Sequence, residues 1–275
     1  MTIALSTALM QYAWNVGSVA EAMTGGCLRV YSGLQPLAPE YAPTGTLLAT
    51  ITDNGGAYTA ETPAVGSIEF SGTGSTTVSS ITVDGIELLP ASVVEDGATL
   101  VAQAVWNAIN DASHRHDFMA TWDSDATVTL TCRPGRGTKF NSATVTGSLS
   151  GGVTASYTDM AGGVASVNGL RIGRYTEVLV NESSQLVAML YSITSDVWSG
   201  VGVAEGTAGW WRFSGAFGDD LAADTDGTRF RIDGSIDTAS GEGVNMVMAD
   251  AAISVSEDVE VGLFGLSSSV NNYTP

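Results

Sequence analysis

Residues 206–236, GTAGWWRFSGAFGDDLAADTDGTRFRIDGSI, decide the fold. Two apolar, strand-like runs, GWWRF and TRFRIDGSI, flank a segment punctuated by Gly and Asp, so the stretch reads as strand, loop, strand. Trp210 and Trp211 are neighbours on the first strand and must point to opposite faces. One ring therefore belongs to a core, while the other meets an interface, a loop or solvent. Residues 28–51, LRVYSGLQPLAPEYAPTGTLLATI, have the same form: LRVYSG and TLLATI are strands, and the segment holding Pro36, Pro39 and Pro43 is an ordered surface loop. Asp53-Asn54-Gly55-Gly56 then supplies a turn that tolerates positive φ.

Working outward, NGLRIGRY, TEVLVN, QLVAMLYSI, VNMVMAD and VEVGLFGL add further short strands in the C-terminal part. These suffice for a mainly-β scaffold, and a β-sandwich of jelly-roll type covers both inner faces while limiting free edges. An N-terminal helix precedes it. Leu5, Leu9, Tyr12, Ala13, Val16, Ala20 and Met23 recur at three- and four-residue steps, Ser6 is the N-cap, and Gly25-Gly26 ends the pattern. Its apolar face docks on its own sheet or on a neighbouring subunit.

Residues 66–163 read as a small α+β insert that divides the scaffold into residues 1–65 and 164–275. SITVDGIELL carries Asp84-Gly85 as a tight hairpin turn. Asp96 caps a helix with Val101, Ala104, Val105, Ala108, Ile109 and Ala112 on its apolar face. FMATWDSDATVTLTC is a second hairpin with its turn at Asp123-Ser124-Asp125. The Gly/Ser/Thr-rich stretches SGTGSTTVSS and GSLSGG read as flexible ends of this hairpin-helix-hairpin unit.

LRVYSG-x-QP followed by TGTLLATI, then WSGVGVAEGTAGWWRF and RIDGSI, in that order, resembles a group of small virion structural proteins of tailed bacteriophages. The likeness covers the N-terminal helix, roughly the first 60 residues, and about Asn168 to Leu266. The insert is similar to small modules of flagellar and phage-tail proteins. The resemblance implies a capsid-decoration, neck or tail component, made in the host cytoplasm and built into the virion. Its implied partners are copies of itself and other virion proteins such as capsid or tail subunits.

Composition bounds the reading independently. Hydrophobic residues make up 44% of 275 and charged residues only 14%, so the polar character comes from Ser, Thr, Asn and Gly, a palette of neutral strand faces and turns. Asp and Glu number 29 against 10 Lys and Arg, a net charge of −19 that repels phosphate backbones and disfavours direct nucleic-acid binding unless the few arginines gather on one face. No apolar run reaches the length of a membrane span, and no cationic leader precedes a signal-like segment, so a soluble, unprocessed chain without membrane contact is expected. Cys27 and Cys132 are too few for a disulfide framework and are expected as buried free thiols.

No GxSxG elbow occurs, and His114 and His116 flank Arg115 in a segment that reads as a solvated connection; neither catalysis nor zinc is expected there. Asp219, Asp220, Asp224 and Asp226 resemble the start of a calcium loop, with Asp220, Asp224 and Asp226 the candidate ligands. The third acidic position and the closing Glu are missing, and an Asp/Gly hairpin turn accounts for the same letters. The expectation is no cofactor, no metal and no catalytic residue. Trp198, Trp210, Trp211, Tyr12 and Val16 are the candidate interface residues, because aromatic anchors are enriched in protein contacts. Trp198, Trp210, Trp211, Tyr175, Tyr191 and Phe213 would alternatively form the platform of a glycan-binding or adhesin-like β-module.

Overall fold

A computed structural model describes residues 3–15, 17–111, 116–174, 179–180, 186–192, 197–225, 227–237, 246–247, 251–261 and 265–269. The protein is mainly β, with antiparallel sheets and few helices. The chain divides into two units. One, the scaffold, comprises residues 1–13, 17–60 and 166–275; the other, the insert, comprises residues 14–16 and 61–165. The divisions at 60/61 and 165/166 compare with expected boundaries at 65/66 and 163/164.

The scaffold is built on a sheet whose strands run in the spatial order Ala4–Leu5, Arg231–Asp237, Gly206–Ser214, Cys27–Ser32, Leu47–Asp53, Trp198–Val201 and Asp258–Glu260. The register places Leu28 opposite Ile51 and Phe213, and Val30 opposite Ala49 and Trp211. All six are buried, and together with Ile232 they form one apolar face. Gly234 lies opposite Trp211, where a Cβ would stand 2.4 Å from the indole, so only glycine lets the ring lie across that strand. A smaller sheet joins Ile172–Arg174, Leu186–Ser192, Leu179–Val180 and Gly265–Ser269, all antiparallel.

The N-terminal periodicity does not make one helix. Ala4–Leu5 is an edge strand paired with Asp233 and Ile232, helix α1 spans Thr7–Asn15, and helix α2 spans Val19–Met23. Ser6 caps α1 as expected, its Oγ accepting from the Leu9 N–H at 3.4 Å. Ser18 opens α2 with a capping box to Glu21, a Ser-x-x-Glu signal that outweighs the apolar spacing and restarts the helix. Tyr12 is buried, its ring 5.1 Å from that of Phe230, so this candidate interface residue is spent inside the scaffold. Val16 lies outside the described residues.

In the insert the stretches expected to be flexible are the longest strands. Val65–Val83 has 19 residues and Val145–Ala161 has 17, and they pair antiparallel from Val83 opposite Val145 to Val65 opposite Ala161. The reason lies in their alternation. Val78, Ile81 and Val83 point inward between Ser and Thr residues, while glycines absorb an irregularity: the pairing skips between Gly72 and Thr76, with Gly72, Gly74 and Gly151 at φ of 106°, 101° and 136°. The ribbon curls until the Val145 N–H donates to Asp159 Oδ1 at 2.9 Å and the Ser142 N–H to the Met160 carbonyl at 2.7 Å. Both expected hairpins form, with Asp84 and Gly85 at φ of 49° and 77°, and with Phe118–Trp122 against Thr127–Cys132.

Helix α3, Ala98–Ile109, is capped by Gly97 and not by Asp96, which pairs with Ser75 in a strand. Its buried face is Val101, Ala102, Val105 and Ile109; Ala104 and Ala108 are half-buried and Ala112 lies outside the described residues. This face packs on Ile68, Phe70, Val78, Phe118 and Leu130 in one core. His116 corrects another expectation. It is buried, not solvated: its Nε2 lies 2.9 Å from the Ile109 carbonyl at the end of α3, and its Nδ1 accepts from the Phe118 N–H at 3.2 Å. His114 lies outside the described residues.

Candidate functional site

The opposite face of the scaffold sheet carries polar side chains, yet Trp210, Arg212, Ser214, Arg231 and Asp233 on it are buried. Trp210, Arg212 and Ser214 alternate with the core-facing Trp211 and Phe213, and Arg212 stands opposite both Arg29 and Asp233 in the register. Arg212 donates from Nε and Nη2 to the two oxygens of Asp233, both at 2.7 Å, with neither side chain exposed. Arg231 grips Asp219 in the same two-pronged way at 2.7 and 2.5 Å, again fully enclosed. Such forked guanidinium–carboxylate pairs are strong and geometrically specific, but enclosing them is costly.

The remaining guanidinium donors go mainly to one loop, residues 33–46. Arg212 Nη1 donates to the Tyr41 carbonyl at 3.0 Å, Arg231 Nη1 to the Pro39 carbonyl at 2.9 Å, and Arg231 Nη2 to the Ala222 carbonyl at 2.7 Å. Trp210 stacks on Tyr31 with ring centroids 4.4 Å apart and donates from Nε1 to the Thr44 carbonyl at 3.2 Å. The loop is also tied from the side: the Asp224 N–H donates to the Glu40 carbonyl, the Thr7 N–H to Glu40 Oε1, both at 2.7 Å, and Thr44 Oγ1 to the Leu34 carbonyl. Residues 33–46 thus have no regular secondary structure but are fixed at many points. Pro36, Pro39 and Gln35 point inward, while Leu34 is 79%, Leu37 94% and Tyr41 56% exposed.

The electrostatics follow from enclosure. Burial raises the Asp219 carboxyl, but the hydrogen bonds and charge of Arg231 outweigh it and hold the group below the ordinary carboxylate range. Burial pushes Asp233 up against the pull of Arg212. The Tyr31 hydroxyl, which has no hydrogen-bond partner among the described residues, is pushed by burial to about 12, and burial takes the Cys27 thiol to about 11. Both cysteines are free and buried, as expected, and Cys27 is a poor nucleophile in this setting.

These positions correct the interface reading. Trp198, Trp210 and Trp211 are all fully buried: Trp198 packs 5.7 Å from Phe213, Trp211 lies in the apolar face, and Trp210 is covered by the 33–46 loop. The two neighbouring tryptophans do point to opposite faces, but the loop covers the outer one. The same burial, shared by Phe213, leaves these rings no sugar-stacking surface; Tyr175 lies outside the described residues. The acidic cluster is likewise committed to protein donors. Asp220 pairs with Arg229 at 2.9 Å, and the two oxygens of the buried Asp224 accept the Thr228 and Arg229 N–H groups, each at 3.1 Å. Asp226 lies outside the described residues, and no group of three potential metal ligands occurs among the described ones.

Sequence reasoning passed over Leu34, Leu37 and Tyr41. The available signal was their setting: large apolar residues between prolines, in a loop where no strand alternation requires them. No protein family, curated protein or solved structure matches the chain.

Proposed function

We propose that the protein is a non-enzymatic structural component of a tailed-phage particle, held in place through its scaffold unit and occupying a decoration, neck or tail position. The observation that carries this reading is the 33–46 loop. Two enclosed arginine–aspartate pairs and a stacked tryptophan fix it from beneath, while its apolar tips stand in solvent. A free loop of this composition would collapse onto its own apolar side chains. Held in one shape, it meets a partner without an ordering cost, which is what a permanent contact in an assembly requires. The order of the LRVYSG, TGTLLATI, GWWRF and RIDGSI segments supports the phage assignment in particular. The test is fractionation of particles from producing cells on a density gradient: the chain should travel with the particle at fixed stoichiometry and stay with it through a salt wash. Recovery only in the soluble fraction would overturn the proposal.

A further inference from the structure

We infer that His116 is an acid-sensitive latch within the insert: neutral, it joins the end of α3 to the strand Phe118–Trp122, and protonation opens that join. The inference is independent of the particle reading. The ring is 6% exposed, and both of its nitrogens meet backbone groups. Nε2 lies 2.9 Å from the carbonyl of Ile109, the last residue of α3, and Nδ1 accepts the Phe118 N–H at 3.2 Å. A carbonyl oxygen only accepts, so Nε2 carries the proton; a backbone N–H only donates, so Nδ1 is unprotonated. The two contacts therefore specify the neutral ring and one tautomer of it.

A second proton would go to Nδ1, setting one N–H against another and depriving Phe118 of its acceptor in an enclosed site. The C-terminal end of α3 favours a cation, but the imidazolium would have to be enclosed there, and that cost is the larger. The surrounding charges balance. Arg133 Nε donates to the His116 carbonyl at 3.1 Å, and Asp117 is held by Arg136 and Lys139. Asp111 is exposed just past α3, and Glu61 accepts the Gly135 N–H. Burial raises both the Glu61 carboxyl and the thiol of Cys132, which lies opposite Phe118. His114 and Arg115 lie outside the described residues. The closed latch thus holds His116 neutral, whereas an opened one takes a proton at about pH 6.5, the ordinary histidine value. The stability this contact contributes is complete above that pH and is lost as pH falls below it.

The experiment is amide hydrogen exchange of the full chain, read by NMR at about pH 7.5 and about pH 5, with His116→Asn alongside. Asparagine keeps an acceptor oxygen for the Phe118 N–H but does not titrate. A ring that protonates only when the latch opens makes opening about thirtyfold easier across this range. The expected result, after correction for intrinsic exchange, is that protection of the Phe118 and Asn110 amides falls at least about fivefold more in the wild type than in the variant. A smaller difference overturns the inference. Glu61 titrates alike in both chains and drops out of the comparison. Should the variant fail to fold, the wild-type ring decides, with His114→Ala leaving a single histidine to observe. A ring protonated at Nε2 alone and half-titrated only below about pH 6 supports the inference, and half-titration at or above that value overturns it.

Discussion

Asp233→Ala isolates the cost of the enclosed charge layer. The substitution removes both acceptors of Arg212 and leaves a guanidinium with no solvent exposure and a single carbonyl partner, that of Tyr41. Breaking a buried pair from one side costs about 3–5 kcal/mol, against about 0–1 for a solvated surface pair. For a domain of roughly 150–250 residues that corresponds to a fall in melting temperature of about 6–20 °C. The paired substitution Arg212→Met with Asp233→Leu removes both charges and should recover part of the loss, falling short by the bond to the Tyr41 carbonyl, worth about 1.5–3 kcal/mol because its donor is charged. Calorimetry of the full chain reads both, with the insert transition as an internal reference that should not move. A loss below about 1 kcal/mol for Asp233→Ala would refute the reasoning, because the pair would then behave as a solvated one.

Other expectations follow from the same geometry. Asp219, Glu40 and Glu87 have carboxyl groups held below their ordinary values of 3.8, 4.5 and 4.5, so each contributes stability that is complete above that value and lost as pH falls through the lower folded one. Asp233, shifted upward, offsets part of this. Asp219→Asn should flatten the acid limb of stability against pH, and an unchanged slope would contradict the assignment. Tyr31→Phe removes a buried hydroxyl without a described partner and should change stability by less than about 0.5 kcal/mol or raise it; a loss above about 1.5 kcal/mol would reveal a hydrogen bond to that oxygen. Millimolar calcium should leave the melting temperature unchanged, because Asp220 and Asp224 are occupied by Arg229 and backbone donors; a rise of several degrees, reversed by chelator, would restore the calcium reading.

The elements legible in the sequence are those set by local chemistry. Asp84-Gly85 between β-branched residues specifies a tight turn, and the apolar runs in Cys27–Ser32 and Gly206–Ser214 specify strands. What escaped depends on partners distant in the chain. SGTGSTTVSS resembles a linker until residues 148–154 pair with it, and Trp210 resembles a surface anchor until a loop 166 residues away supplies the Thr44 carbonyl. Arg212 and Arg231 gave no warning, because nothing local marks an arginine as enclosed; only the register, which sets Arg212 opposite Asp233, predicts its partner. Burying Trp210, Arg212 and Arg231 under the loop goes with leaving Leu34, Leu37 and Tyr41 outside, so the candidate site could be found only with the fold in hand.

Electron cryomicroscopy of the assembled particle tests the central claim most directly. The account predicts scaffold density at a repeating position on the particle, with residues 33–46 pressed against a neighbouring subunit. A particle that lacks this chain, or that carries it with the loop facing open solvent at every copy, would contradict it.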